Sequence, residues 1–513
     1  MSFQEEYLFW RLVHYFISDQ EYRIIQLSKE QNEIWLEKME NKEAQTIRLL
    51  RYNLDWSNWM QKDIELTALN GEKIRKQLGK SGMNVINIYV TPYPPVDDYE
   101  FRINEPFQFP SNGKTRVQTI IFDRAHYEQG FQKTQKIFHD SFVVPLEENY
   151  SENDVDQLKL SALSVASNKV KEEKSIFNQG KPFFTFMFMI IQVAVFLFLE
   201  SIGSSTDTST LIKYGAKFNP LILEGEWWRF FTPIILHIGL LHLLMNTISL
   251  YYLGTVIERI FGKWRFLLIY LIAGFGGSIA SFIFSPAISA GASGAIYGLF
   301  GALLYFGVIY PKLFFRTMGF NLLIILGINL MFGFSMPSID MAGHIGGLFA
   351  GFLAAGIVHF PKKRKPVLQL LLLVITAGLF VGFLKYGFNE PGRLLNEQSA
   401  LIMAQQYIEN EDYDQAQNVL EDYLKDKDVS AEVYFLLSYA EINLKEITQA
   451  KEHLQLAIDK RADFHEAYYN LALIYIDEKN YSEAKKCAEK AVELKPEQTD
   501  YVNLLKEINK FIK

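Results

Sequence analysis

The sequence predicts a polytopic α-helical membrane protein with a soluble mixed α/β domain at its N-terminal end and an α-helical repeat domain at its C-terminal end. Three observations carry that reading. A near-zero mean hydropathy hides a polar first third, a very apolar middle and a charged last quarter, as expected for a membrane core flanked by soluble domains. The middle contains apolar runs long enough to cross a hydrocarbon core about 30 Å thick. The tail repeats with a period of 34 residues, the spacing of a stacked helix pair.

At 513 residues the chain is too long for one core. The net charge of −7 averages over unlike segments and discriminates little. The soluble parts lack a block of Lys and Arg interleaved with aromatics, so no nucleic-acid partner is expected. One cysteine, Cys487, forms no internal disulfide and builds no thiolate metal site alone. The start, MSFQEEYLFWRLVHYF, sets Glu5, Glu6 and Arg11 among apolar residues. A signal peptide needs a basic start and an unbroken apolar run, so the first domain is expected in the cytoplasm.

Residues 1–175 read as the mixed α/β domain. YRIIQLS, NEIWLEKM, TIRLLRYN, NVINIYV and TRVQTIIF are strand-like, and Ser57 to Leu78 reads as a helix with Ser57 as its N-cap. With no catalytic motif present, regulation or recruitment is the expected role. Asp97, Asp98, Glu100, Asp123, His126, His139 and Asp140 are candidate ligands for a regulatory divalent cation, set against the commoner reading of scattered surface acids.

Residues 180–385 hold the apolar runs, and seven spans are expected: Pro182 to Leu199, Phe230 to Ile257, Phe266 to Phe284, Ser293 to Tyr310, Phe320 to Met336, Met341 to Phe360 and Val367 to Leu384. Basic residues crowd every second connection. Lys169, Lys171, Lys174 and Lys181 precede the first span, Arg259, Lys263 and Arg265 follow the second, Lys312 and Arg316 the fourth, and Lys362 to Lys365 the sixth. The loops SPAISAG and SMPSID carry none. The positive-inside rule then puts the N-terminus in the cytoplasm, and an odd number of spans puts the C-terminus outside.

After the linker YGFNEPGR, residues 395–513 align Ala416 with Ala450 and Ala484, Tyr413 with Ile447 and Tyr481, and Met403 with Leu437 and Leu471. This is the tetratricopeptide pattern, in which small residues let two antiparallel helices pack closely. The last repeat is clearest, with Tyr468, Leu471, Ala472, Tyr475, Ala484, Ala491 and Pro496 at the expected offsets. The first, with Tyr423 at a small-residue position, is degenerate and reads as a cap. Protein or peptide partners are expected there, against the plainer reading of a stabilising cap for the last span.

Ionisable groups inside a bilayer are expensive and need a reason. Here they are few: His237 and His242 in the second span, Asn246 a turn later, Glu258 at its end, and His344 near the start of the sixth; His359, at that span's cytoplasmic end, reads as interfacial. The fourth span opens with GASGAIYG. A serine among small residues at a helix start keeps its hydroxyl accessible, with the positive end of the helix dipole beside it. Gly294 with Gly298, and Gly347 with Gly351, are small-xxx-small pairs that let helix backbones touch. Such packing brings His344 to Ser293 as a base for a hydroxyl nucleophile. Tyr297, one turn after Ser293, is placed to stack on and orient the imidazole. His242 and Asn246, at i and i+4, are placed to face an acyl oxyanion. His237 reads as a packing or loop-tethering histidine, and Arg229 and Glu258 as structural.

On these residues the chain resembles the rhomboid intramembrane serine proteases, from about residue 180 to 360. The motifs stand in the family's order: WR at Trp228 and Arg229, HxxxN from His242 to Asn246, GxxxExxxG through Gly254, Glu258 and Gly262, GASG from Gly291 to Gly294, and HxxGxxxG through His344, Gly347 and Gly351. The resemblance implies a six-helix rhomboid core plus a seventh span. Ser293 is then the nucleophile, His344 the general base, His242 and Asn246 the oxyanion-hole side chains, and Trp228 and Arg229 part of the first outer loop. Gly343 stands where the family often has Ala, and Pro233 where some members have another histidine; neither removes a catalytic group. The whole arrangement is similar to the GluP-type rhomboids of Gram-positive bacteria. The resemblance implies cleavage of transmembrane proteins near the outer membrane face in contact with membrane lipid, with no cofactor required for catalysis. Three other classes fit less well. For a metalloprotease the sequence lacks HExxH, for a transporter it lacks internal repeats with broken helices, and a rhomboid-like adaptor shares the fold but would lack the serine–histidine pair present here.

Overall fold

A computed structural model describes residues 3–77, 79–110, 113–147, 150–336, 339–361, 363–389, 394–425 and 428–511. Leu78, Lys362, residues 337–338 of the SMPSID loop and residues 390–393 of the linker lie outside these. The chain forms two compact units, Met1–Ser175 and Ile176–Lys513.

The first unit holds α1 (Phe3–Ser18), β1 (Arg23–Leu27), β2 (Glu33–Glu37), β3 (Thr46–Arg51), α2 (Ser57–Gln77), β4 (Met83–Val90), β5 (Phe107–Gln108), β6 (Thr115–Phe122), α3 (Tyr127–Phe138) and α4 (Glu152–Ile176). The sheet order is β1-β2-β3-β4-β6-β5, with β3, β4 and β6 parallel and the outer pairs antiparallel. The parallel strands are buried on both faces, as their apolar runs require. Phe9, Trp10 and Phe16 of α1 cover one face together with α3 and α4, and Met60, Ile64 and Ala68 of α2 cover the other. Ser57 does not cap α2. Its N–H and hydroxyl both donate to the Asp97 carboxylate, each at 2.7 Å, so the cap is supplied from another loop.

Asp97 is thereby committed to the helix end. Asp123 accepts from Ala125 N at 2.9 Å, and Asp140 accepts from Tyr15 Oη and Gln20 Nε2 at 3.0 and 3.1 Å. Among the described residues no three His, Cys, Asp or Glu side chains gather where they could hold a metal ion. Asp97, Asp123 and Asp140, three of the acids read from the sequence as candidate ligands, thus serve separate turns.

In the second unit, α5 (Phe184–Ile202) leads into a long loop holding α6 (Thr208–Lys213), α7 (Asn219–Leu223) and two 3₁₀ turns. Then follow α8 (Gly239–Phe261), α9 (Lys263–Phe284), α10 (Ser293–Ile309), α11 (Pro311–Thr317), α12 (Gly319–Ser335), α13 (Met341–Val358) and α14 (Pro366–Asn389). Among the described residues, α5, α8, α9, α13 and α14 are long and apolar enough to cross a membrane, and α11 with α12, bent by 73°, would make a sixth. Helix α10 has 17 residues, about 25 Å of rise, and is enclosed by its neighbours.

The second helix starts later than the apolar pattern suggests. Residues 230–238 belong to the preceding loop, which places His237 outside the helix. Pro233 occupies a 3₁₀ turn, Leu236 is extended, and Gly239 takes φ +76°. Hydrophobicity alone does not register these breaks, because the loop is itself buried: Phe230, Ile234 and Leu236 are core residues. His359, at the C-terminal end of α13, is buried, with Nδ1 at 2.7 Å from Tyr305 Oη.

Helices α9, α10 and α13 pack through glycine. A Cβ on Gly277 would stand 2.8 Å from the Gly343 carbonyl, and one on Gly351 would collide with the Gly298 backbone. Phe184, Phe266, Tyr270, Phe306 and Phe360 fill the space beneath that crossing.

Helices α15 (Glu397–Glu409), α16 (Tyr413–Leu424), α17 (Ala431–Leu444), α18 (Ile447–Lys460), α19 (His465–Asp477) and α20 (Tyr481–Leu494) form antiparallel pairs, closed by α21 (Thr499–Phe511). Ala416, Ala450 and Ala484 are fully buried at the pair contacts. The repeat also docks on the membrane domain: Met403 packs with Ile212 and Phe218, Tyr407 Oη donates to Glu224 at 2.7 Å, and Ser399 Oγ lies 3.4 Å from the Pro286 carbonyl.

Gly351→Val is expected to force α10 and α13 apart, with an overpacking cost of about 1–3 kcal/mol read as a lower unfolding midpoint in detergent. Cleavage activity should fall with it, because His344 rides on the displaced helix. Wild-type stability and activity in this variant would contradict the close crossing.

Candidate active site

Ser293 opens α10 immediately after a turn at Gly291, which has φ +148°. Gly291 N donates to the Pro233 carbonyl at 2.9 Å, so the loop before α8 anchors the approach to the serine. A Cβ at Gly291 would lie 2.6 Å from the His242 ring. Glycine is needed there for its backbone and for the imidazole beside it.

His344 lies in the first turn of α13. Asp340 caps that helix, accepting from Gly343 N at 3.0 Å. Helix α13 brings His344 Nε2 to 2.8 Å from Ser293 Oγ. The Tyr297 ring stacks on the imidazole, with centroids 4.2 Å apart and planes at 12°. His344 Nδ1 is buried without a hydrogen-bond partner among the described residues, so Tyr297 stacking, rather than a carboxylate, sets the ring plane.

His242 lies against Gly291, 5.4 Å from the His237 ring between centroids. The Asn246 amide does not point with it. Its Nδ2 donates to the His242 carbonyl at 2.9 Å, leaving Oδ1 buried and, among the described residues, unpaired. His237 is fully buried, and neither ring nitrogen meets a well-formed hydrogen-bond partner among the described residues.

The remaining motif residues brace the site. Glu258, fully buried at the end of α8, accepts from Phe183 N, Phe184 N, Thr185 N and Thr185 Oγ1 at 2.7–3.0 Å. It thus satisfies orphan donors at the start of α5. Gly254 leaves room for Thr185 on the same contact. Arg229 Nη1 donates to the Ile212 and Ala216 carbonyls at 2.7 and 3.0 Å and its Nη2 pairs with Glu226 at 2.5 Å, which holds the loop between α5 and α8. Trp228 is partly exposed beside it.

A cavity of about 30 Å³ opens beside Ser293 and His344, lined also by Lys217, Ser289 and Asp340. That admits a water molecule. Of the lining residues, Lys217 and Asp340 were not singled out in the sequence. Asp340 was legible as an N-cap ahead of an apolar run. Lys217 gave only the signal of a lone charge within YGAKFNPLIL.

A serine hydroxyl at hydrogen-bond distance from an imidazole, inside a bundle of apolar helices, defines a membrane-embedded hydrolase of the serine type. Residues 224–361 match the Rhomboid domain family, and residues 431–461 and 465–498 match the Tetratricopeptide repeat. The Rhomboid protease GluP of Bacillus subtilis (strain 168) is 40% identical over 476 residues, covering 92% of each chain. The Putative rhomboid protease YdcA of the same organism is 34% identical over 190 residues, 36% of this chain and 92% of its own. RHOMBOID-like protein 1 of Arabidopsis thaliana is 43% identical over 150 residues, 28% of this chain and 38% of its own. The chain belongs to the rhomboid family of intramembrane serine proteases. It is a multi-pass membrane protein of the GluP type with tetratricopeptide repeats.

Glu258→Gln should separate bracing from chemistry. Gln offers one acceptor oxygen and turns an NH₂ toward donors, so stability is expected to fall by about 1–3 kcal/mol while kcat of the folded enzyme is retained. A normal unfolding midpoint with a large loss of kcat would instead give Glu258 a chemical role.

Proposed function

We propose that the protein cleaves transmembrane substrates near the outer membrane face, with Ser293 as nucleophile and His344 as general base. The 2.8 Å contact between His344 Nε2 and Ser293 Oγ carries this reading. In the scheme, Nε2 takes the hydroxyl proton as Oγ attacks the peptide carbonyl carbon. The resulting oxyanion meets the N-terminal end of α10 and the His242 side. Imidazolium then gives its proton to the leaving amine, and an acyl-enzyme remains. Water, deprotonated by the same imidazole, hydrolyses the ester and returns the proton to Ser293. Side chains and water complete the cycle without a cofactor.

The substrate helix must unwind before its carbonyl reaches Oγ, because backbone groups in lipid are otherwise paired within the helix. Segments with a small residue at the cut and helix-weakening neighbours are therefore favoured. Asn246 joins the oxyanion hole if its amide turns from the His242 carbonyl to the developing charge.

Seven spans, with the N-terminal domain in the cytoplasm and the repeats outside, complete the reading. Its support is the docking of α15 against the loop between α5 and α8 and against Pro286, both on the end of the bundle where Ser293 and His344 begin their helices. The repeats would then receive protein partners beside the substrate entrance, while the N-terminal domain regulates or recruits from the cytoplasm.

Ser293→Ala and His344→Ala are each expected to abolish cleavage of a model transmembrane substrate while inserting normally; full activity in folded Ser293→Ala ends the proposal. For topology, a Lys495→Cys probe in a Cys487→Ser background should react with a membrane-impermeant maleimide on intact cells. Labelling only after lysis would place the repeats inside and remove the seventh span.

A further inference from the structure

Lys217 is fully buried between α6 and α7, outside the spanning helices. All of its named hydrogen-bond acceptors are neutral. Its Nζ donates to the Ser285 and Ala287 carbonyls at 2.7 and 2.8 Å, to Asn219 Oδ1 at 3.1 Å, and lies 3.4 Å from the Ser281 carbonyl. Its backbone pairs in both directions with Ser289, Lys217 N donating at 2.8 Å and Ser289 N at 3.1 Å. Burial pulls the ammonium down to about 8, opposed by the Asp340 carboxylate.

Removing an ammonium from water costs several kcal/mol even after relaxation. An apolar side chain of similar length would fill the same space without that cost. What the ammonium adds is a fixed point on which two carbonyls of one short loop, Ser285 and Ala287, converge with that of Ser281 at the end of α9. That loop, residues 285–290, ends at Gly291, two residues before Ser293. Further ties are Gly291 N to the Pro233 carbonyl, and weaker approaches of Asn219 Nδ2 to Ser285 O and of Ser399 Oγ to Pro286 O, each at 3.4 Å. Asn219, also fully buried, extends the junction: its Nδ2 donates to Phe282 O at 3.1 Å and to Leu394 O at 2.9 Å. The end of α9 and the chain entering the repeat domain are thus fastened at the same place.

We infer that Lys217 is a positioning residue for Ser293, its side chain clamping the 285–290 loop so that Gly291 and the start of α10 present the hydroxyl to His344 and the substrate carbonyl. This rests on Ser293 being the nucleophile. The Lys217 ammonium bonds to Asn219 and to the Ser281, Ser285 and Ala287 carbonyls rather than to Ser293 or His344, so its loss is expected to act through the placement of Ser293, on the chemical step.

Lys217→Met in the full-length enzyme, reconstituted in liposomes, is expected to lower kcat by about 10–100-fold, the cost of slight misplacement of a nucleophile, with KM unchanged. Labelling of Ser293 by a fluorophosphonate should slow in parallel. Equal kcat and equal labelling in the variant overturn the inference, whereas absence of labelling in the wild type overturns the nucleophile assignment instead. Because Lys217→Met also removes hydrogen bonds that a buried side chain gives the fold, a reversible clamp supplies the second arm. Residues 217 and 289 exchange both backbone bonds, an arrangement that holds Cα atoms about 5.5 Å apart, within the roughly 4.4–6.8 Å a disulfide spans. Lys217→Cys with Ser289→Cys, in a Cys487→Ser background, should have low kcat when reduced and regain it on oxidation. Wild-type kcat in the reduced form, or low kcat unchanged by oxidation, overturns the role.

Discussion

Backbone contact between α10 and α13 sets the distance on which the rest of the membrane domain depends. Gly294 and Gly298 on one helix meet Gly347 and Gly351 on the other, and Gly277 of α9 closes the same crossing. In lipid there is little hydrophobic drive to press helices together, so close approach relies on van der Waals contact where side chains are absent. A serine and a histidine borne on different helices reach 2.8 Å only because nothing stands between those helices. The stacked Tyr297 ring then fixes the imidazole plane, a task for which a soluble enzyme of this kind uses a carboxylate.

Around that crossing, several buried polar side chains tie one segment to another. Glu258 fastens α8 to the start of α5, and Arg229 folds the intervening loop onto itself. Lys217 and Asn219 join that loop to the approach to Ser293 and to the chain entering the repeats. These ties lie at helix ends and in loops, where backbone donors and acceptors lack partners and the low-dielectric interior makes leaving them unpaired expensive. The helix interiors carry almost none.

Much of this was legible in the sequence, and the reasons differ by element. The glycine spacing on two spans pointed to a close crossing, and with it to the pairing of Ser293 with His344, because small-residue periodicity has few other uses in a membrane helix. The 34-residue period located the repeats for a similar reason: Ala416, Ala450 and Ala484 mark contacts where nothing larger fits. The start of α8 was misread because residues 230–238 are as apolar as a span, although Pro233 and the positive φ of Gly239 break the helix there. Long-range ties were the least visible. Asp97 capping α2 and Lys217 gripping the 285–290 loop join residues far apart in the chain, and no local pattern encodes such partners. The direction of the Asn246 amide was equally hidden, since spacing places a residue on a helix face but does not choose its rotamer.

The account stands on Ser293 and His344 acting as one chemical unit across the glycine crossing. A double-mutant cycle in reconstituted membranes tests this most directly, comparing Ser293→Ala, His344→Ala and the double variant by kcat on one transmembrane substrate. Residues that act as a unit are grossly non-additive, so the double variant should be no slower than the more damaged single variant. Losses that multiply, each residue contributing its own factor, would contradict the shared mechanism.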